Sequence, residues 1–295
     1  MRYSEEKYIS LLTDFGFKRI FGTAPNKILL IDFLNSLFDG EQVVKDVQFL
    51  NSERVGDVFA ERKAIFDVYC ENEKGEKFIV EMQNAHQTFF KDRSLYYATY
   101  PIREQAPKGA DWNFELKHVY VIALLNYDMK DEALDDGCIN HDIGLVNKRN
   151  HRVFNDKLTF KYIELAKFDK QADQLDTIFD KWLFVLKNLS RLDKQPQHLR
   201  NAVFDRLFKE AEIAHFSKKE LKEYEDSLKA YRDIKNSLET AEEKGRAEGR
   251  AEGRAEGRAE GRMEVARELL KLHMPIDTIV KATGLSPEDI QKIGE

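Results

Sequence analysis

The run LKHVYVIALLN at residues 116–126 constrains this chain more than any other segment. It is almost continuously apolar, yet far shorter than the roughly 20 residues a membrane-spanning helix needs. A strand that is apolar on both sides must be covered on both, the usual setting of a parallel strand reached through a helical crossover. Residues 86–106 supply that crossover, with Phe90, Leu95, Tyr97 and Tyr100 at helical spacing and Pro101 as a candidate kink. A helix over 25–38, strands over 63–71 and 77–83 around the turn NEKGE, and an antiparallel hairpin within 143–165 near a sheet edge complete the pattern. The expected fold class is α/β, a mixed sheet with flanking helices, followed by an all-helical C-terminal region.

The helical region begins after residue 170. Residues 175–189 place Leu175, Ile178, Phe179, Trp182, Leu183, Val185 and Leu186 on a broad apolar face, and 200–213 and 219–240 follow as helices. Residues 263–293 read as two short helices around TGLS, with Ser286 as an N-cap before PEDI. Between them GRAE repeats from Gly245 to Glu260, with an altered copy, GRME, at 261–264. Glycine at every fourth position weakens a helix by about 1 kcal/mol each relative to alanine, which favours a solvated linker. Wound as a helix, however, the tract has a flat small-residue face between an Arg stripe and a Glu stripe, suited to a spacer or to self-association.

Charge and cysteine content narrow the function classes. Lys plus Arg number 47 against 53 Asp plus Glu, a net charge of −6. That argues against a generally basic nucleic-acid coat and leaves room only for a local groove of cations. Two cysteines, Cys70 and Cys138, supply neither a disulfide framework nor a zinc cluster. The opening MRYSEEKYIS has no apolar core and no apolar run reaches about 18 residues, so the expectation is a cytoplasmic protein without a membrane segment.

The chemistry is concentrated in KAIFDVYCENEKGEKFIVEMQ, residues 63–83. A hairpin looped through 72–76 sets Glu71 against Lys77 and Asp67 opposite Glu81. Alternation puts Phe66, Val68 and Cys70 on one face with Phe78, Val80 and Met82, an apolar face expected to be buried. The other face collects Ile65, Asp67 and Tyr69 with Ile79, Glu81 and Gln83, and is expected to be open. Two facing carboxylates repel unless a proton or cation lies between them, and Mg²⁺ is a natural occupant. The plain alternative is a solvated acidic face. Asp14 in LLTDFGFKRIFG is a candidate third ligand, and Lys18, one turn later, a candidate catalytic cation.

These residues resemble the Rpn family of recombination-promoting nucleases and transposase-like proteins, a branch of the PD-(D/E)XK nuclease superfamily. The resemblance rests on TDFGFKRIFG at 13–22, IFDVYC at 65–70, IVEMQ at 79–83, RSLYYATYPIREQ at 93–105, LKHVYVIALLN, IELAKF at 163–168 and AYRDIKNSLETA at 230–241. It implies a restriction-endonuclease-like fold with Asp67 and Glu81 as the acidic pair of the motif. Gln83 stands where the superfamily usually carries Lys, although the family itself commonly has Glu-x-Gln; Lys18 is then the candidate for the missing charge. Phe66 replaces the nominal Pro. Arg93 and Tyr97, one turn apart on the crossover helix, enter through the resemblance alone, as phosphate contacts or as braces of the site. His86 and Gln105 are weaker candidates.

The expected organisation is a nuclease domain over 1–170, a helical extension over 171–243, the repeat over 244–264 and a helix-turn-helix-like tail over 265–295. The second tail helix, SPEDIQKIGE, offers mainly Glu288 and Asp289 with Gln291 and Lys292, a poor set for reading DNA, which favours packing or protein contact. Two functions follow. The first is a Mg²⁺-dependent DNA endonuclease, with other divalent ions possible, acting on DNA as a homo-oligomer joined through the C-terminal helices. The second is a catalytically silent, transposase-derived DNA-binding or oligomerising protein.

Overall fold

The computed structural model describes residues 6–51, 53–54, 64–106, 112–134 and 137–294. They form two compact units, Met1–Lys235 and Asn236–Glu295.

The first unit is built on a six-stranded sheet of order β1-β4-β5-β6-β8-β7. Its strands are β1 (Val47–Phe49), β4 (Val68–Asn72), β5 (Lys77–Gln83), β6 (Val119–Leu125), β7 (Asn140–Val146) and β8 (Val153–Glu164). β2 (Glu53–Arg54) and β3 (Ala64–Ile65) pair separately. β5, β6 and β8 run parallel, while β1, β4 and β7 join antiparallel. The apolar run is the central parallel strand: every residue of β6 is buried. The hairpin over 143–165 is present too, with β7 at the sheet edge.

One face of the sheet packs against α1 (Asp14–Phe21), α2 (Lys27–Phe38), α4 (Ile178–Asn188), α5 (Ala202–Glu210) and the start of α6 (Lys218–Lys271). Trp182 lies at the centre of that core, its ring near those of Phe21, Phe33 and Phe204, and its indole N–H donates to Asp32 at 2.6 Å. The crossover helix α3 (Phe90–Glu104) covers the other face. Pro101 lies inside α3 and the helix continues past it.

Local sequence fixes the entry of α1. Thr13 caps it, accepting the Gly16 N–H at 3.1 Å. A Cβ on Gly16 would come within 2.1 Å of the Ser10 carbonyl oxygen, so the chain can turn this tightly only with glycine there.

In the second unit, the final turns of α6 pack with α7 (Ile276–Thr283) and α8 (Pro287–Gly294) around Ala266, Ile279 and Ile290. Gly284 ends α7 in the left-handed conformation at φ 69°, its N–H reaching the Val280 carbonyl at 2.8 Å. The Ser286 hydroxyl caps α8 by accepting the Asp289 N–H at 3.1 Å. The two short helices expected around TGLS are α7 and α8, but residues 263–271 belong to α6. The GRAE tract is helical throughout, as the middle of α6, and a Cβ added at Gly249, Gly253 or Gly257 would meet nothing within 4 Å. No helix among the described residues is long and apolar enough to cross a membrane.

Candidate active site

The β4–β5 register is the one read from the sequence. Glu71 pairs with Lys77 and Val68 with Val80, which brings Asp67 level with Glu81. Asp67 itself stands at a bend just before β4. Its Oδ2 accepts the Met82 backbone N–H at 2.9 Å, which anchors it against the neighbouring strand.

Two expectations about the faces fail together. Phe66 does not join Val68 and Cys70; it lies on the opposite side with Tyr69, its ring 5.2 Å from that of Tyr97 on α3. The bend at Asp67 interrupts strand alternation, so period two cannot be carried through it. The face with Glu81 and Gln83 is also not open, because α3 lies over it. Glu81 is 5% exposed and Gln83 8%. The side chain of Ile65, expected on this face, lies outside the described residues.

Burial controls the electrostatics. It pushes the Glu81 carboxyl up to about 8, the Asp67 charge adding to the rise while Arg93 and Gln83 oppose it. The Asp67 carboxyl is also raised, again chiefly by burial, against the Met82 hydrogen bond and the Lys18 charge. Glu81 Oε2 accepts from Gln83 Nε2 at 3.1 Å and lies 3.6 Å from Arg93 Nη2. Glu81 Oε1 is buried without a partner, as are Arg93 Nε and the Tyr127 hydroxyl. Only one further buried side-chain polar atom among the described residues, Asn140 Oδ1, shares that condition. Among the described residues, three of the four such atoms therefore belong to this site. A buried polar atom left unpaired typically costs about 1–3 kcal/mol, so such a concentration suits a bound ion or substrate.

The chain matches the family model described as PD-(D/E)XK nuclease family transposase over residues 11–241. It belongs to that family. The model described as Rpn/YhgA-like nuclease family, C-terminal HTH domain, matches residues 259–295, the stretch that includes the packed helices of the second unit. No curated protein and no solved structure matches the chain. The resemblance read from the scattered motifs and the expected fold class both hold.

Within this PD-(D/E)XK chain, Asp67, Glu81, Gln83 and Arg93 converge. Tyr97 reaches the group through Arg93, whose guanidinium lies 4.9 Å from the Tyr97 ring centre, and through Phe66. Asp14 and Lys18 sit together on α1, paired at 2.6 Å, and both charges act on Asp67. Among the described residues, no group of three or more His, Cys, Asp or Glu side chains is placed to hold a metal, so Asp14 is not assembled with the other two carboxylates. The Asp67–Glu81 pair nevertheless fits a hard cation: two raised carboxyls and one buried carboxylate oxygen without a donor. Gln105 lies away from this group, bonding the Lys117 backbone. Cys70 is buried, its thiol pushed up to about 12 by desolvation, which makes it inert as a nucleophile.

Two residues escaped the sequence reading. Asn84 donates to the Leu12 carbonyl at 2.7 Å and tethers the end of β5 to the loop that leads into α1, which carries Asp14 and Lys18. Tyr127 follows the end of β6, where Asn126 N–H bonds the Gln83 carbonyl at 2.8 Å. Its ring lies 5.5 Å from that of His86, edge to face, and the Arg93 and Glu164 charges both act on its hydroxyl. The available signal was position: polar residues within two positions of the ends of β5 and β6, at the carboxyl ends of parallel strands.

Proposed function

We propose that this PD-(D/E)XK chain is a divalent-metal-dependent DNA endonuclease of the recombination-promoting, transposase-like type, working in the cytoplasm with Mg²⁺ as its physiological ion. The observation that carries this reading is the pairing of partly buried Asp67 with buried Glu81, whose Oε1 is unpartnered. Asp67 and Glu81 would hold the ion, with Asp14 as a third ligand once released from Lys18. The ion would supply Lewis acidity at the scissile phosphoryl oxygen.

The remaining work falls to the chain. Glu81 gives up the proton that burial otherwise retains. Gln83, freed from Glu81 Oε2, orients the attacking water through its amide but adds no positive charge. Arg93 Nε and the Tyr127 hydroxyl, both buried donors without acceptors, bind phosphate oxygens and so orient the backbone. Lys18 adds positive charge next to Asp67, where negative charge accumulates in the transition state. Tyr97 holds the Arg93 plane. His86, which packs on Tyr127, acts through that ring.

The partners are DNA and a second copy of the chain. Self-association through the GRAE tract is supported by its helical form, by the open space at its glycines and by its charges. Among the described residues, Lys244 pairs with Glu248 and Arg246 with Glu242, while Arg250, Arg254 and Arg258 enter no ion pair within α6. Two sites in one assembly would suit cleavage of both strands. The tail helices would contribute a further DNA or protein contact, in line with their helix-turn-helix match.

The test is incubation of supercoiled plasmid with the purified full chain in Mg²⁺, Mn²⁺, Ca²⁺ or EDTA. Nicking in Mg²⁺ or Mn²⁺ that EDTA abolishes is expected. DNA binding without nicking in any metal would favour the catalytically silent alternative.

A further inference from the structure

The β7–β8 hairpin extends beyond the sheet that supports it. β7 pairs regularly with β8 from Asn140↔Ile163 to Gly144↔Thr159, then shifts register on both sides of Leu145 before closing at Val146↔Val153. Such bulges bend a ribbon and re-aim it. The projecting part has no cover: Val153 is 69% exposed and Phe154 80%.

Its turn is built rather than loose. Asn147 N–H donates to the Arg152 carbonyl at 2.9 Å, and His151 N–H to the Asn147 carbonyl at 2.8 Å. The side-chain oxygens of Asn147 and Asn150 accept the Arg149 and Arg152 N–H groups at 2.9 and 3.1 Å. His151 completes the reversal at φ 56°.

This turn presents Lys148, Arg149 and Arg152, all exposed. Nearer the sheet the cations are neutralised, Lys157 by Asp156 at 3.2 Å and Lys161 by Asp142 at 2.6 Å. At the tip, among the described residues, no carboxylate lies within ion-pair distance of any of the three. In a chain of net charge −6, three unpaired cations on a pre-ordered tip form a local exception.

We propose that this hairpin is a second DNA-contacting element, an arm distinct from the cleavage site, a role that rests on the DNA substrate proposed above. A two-stranded ribbon fits the roughly 12 Å major groove of a duplex. Lys148, Arg149 and Arg152 contact backbone phosphates, and Phe154 packs against sugar or base edges. Tyr162 of β8 is level with Glu81 through Ala123, and Val153 stands nine positions before it. At ~3.3 Å per residue along an unbent strand, the start of the arm lies up to about 30 Å from the level of the acidic pair. The arm therefore grips the duplex away from the bond that is cut, within about one turn of B-DNA.

The test is anisotropy of a labelled 30-base-pair duplex with the full chain in EDTA, across a salt series, so that binding is read without cleavage. In Lys148→Gln/Arg149→Gln/Arg152→Gln the slope of log affinity against log salt is expected to shrink by about 2 to 3, with at least about tenfold weaker binding near 100 mM salt. Arg149→Lys/Arg152→Lys keeps the slope, and Phe154→Ser weakens binding with the slope unchanged. Unaltered affinity and slope in the triple variant would overturn the arm, as would a wild-type chain that binds no duplex. A fall in sedimenting mass without a change in DNA binding would also overturn it, making the hairpin a protein contact. Glu81→Gln separates the two proposals: it should stop nicking and leave hairpin-dependent binding intact. If the wild type binds through the hairpin and never nicks, the cleavage reading fails and the arm stands.

Discussion

The carboxylate of Asp67 accepts the backbone N–H of Met82 at 2.9 Å, so an aspartate outside its own strand is fixed next to Glu81 on the adjoining one. That bond lets a bend in the chain deliver a carboxylate with strand-like precision. It uses Oδ2 and leaves Oδ1 as the oxygen through which Asp67 would meet a cation. Placement and ligation by this residue can therefore be separated experimentally.

Glu81 makes stability depend on pH with a definite sign. Its carboxyl titrates near the ordinary glutamate value in the unfolded chain and near about 8 in the folded protein. Between those values the folded state binds more protons than the unfolded state, so stability falls as pH rises through that window. Thermal melts of the metal-free protein should drop between about pH 5 and pH 8.5, with the drop reduced in Glu81→Gln. Added Mg²⁺ should restore stability at the alkaline end. A melting temperature that rises steadily with pH across the window, in wild type and variant alike, would contradict the burial of this carboxyl.

Gln83 donates to Glu81 but carries no charge, so its loss should weaken cleavage less than loss of either carboxylate. Gln83→Ala is expected to slow nicking by about tenfold, within the range of a lost neutral hydrogen bond. Gln83→Lys should retain activity. The added cation would also pull the Glu81 carboxyl down, moving the rise of the pH–rate profile toward acid. An unshifted profile in an active Gln83→Lys enzyme would separate Gln83 from Glu81.

Tyr127→Phe gives a test in which stability and activity move apart. The hydroxyl is buried with no partner in the folded chain, so removing it should leave stability unchanged or raise it by up to about 1 kcal/mol. Cleavage should nevertheless fall, because in the proposed function the hydroxyl takes its acceptor from the DNA backbone. Denaturant melts paired with nicking rates read both. A destabilised variant with full activity would assign Tyr127 to the scaffold.

How much of this was legible in sequence depends on where periodicity holds. The Asp67–Glu81 pairing was readable because the NEKGE turn fixes a count that runs back along both strands. Its Gly75, at φ 78°, is one of the few residues that can take that shape without strain. The run at 116–126 was readable because burial on both faces leaves no polar positions. Phe66 was not, since the bend beside it breaks alternation without a glycine or proline to announce it. The cover over Glu81 was also hidden: it comes from α3, and the pattern of one strand does not report what lies across the sheet. Asn84 and Tyr127 follow strand ends, where no period extends. The helix through GRAE runs against the low propensity of its glycines, which local preference alone would have broken.

The glycine tract offers its own test. Replacing Gly249, Gly253 and Gly257 with Leu should raise helicity, since each change favours helix by up to about 1 kcal/mol and a Cβ at each of these exposed positions meets nothing within 4 Å. If the small-residue face joins two copies, sedimenting mass should fall in the same variant. Wild-type mass in a more helical variant would reduce the tract to a spacer.

The most direct measurement is the initial nicking rate of supercoiled plasmid in saturating Mg²⁺ for wild type, Asp67→Asn and Glu81→Gln, each checked for an unchanged fold by circular dichroism. Asparagine can still accept the Met82 N–H and glutamine still fills the buried site, so both variants remove ligating charge while sparing structure. The expected result is metal-dependent nicking by the wild type and a loss of at least about 10²–10³-fold in each variant. Full nicking by either folded variant would contradict the assignment of Asp67 and Glu81 as the metal-holding pair.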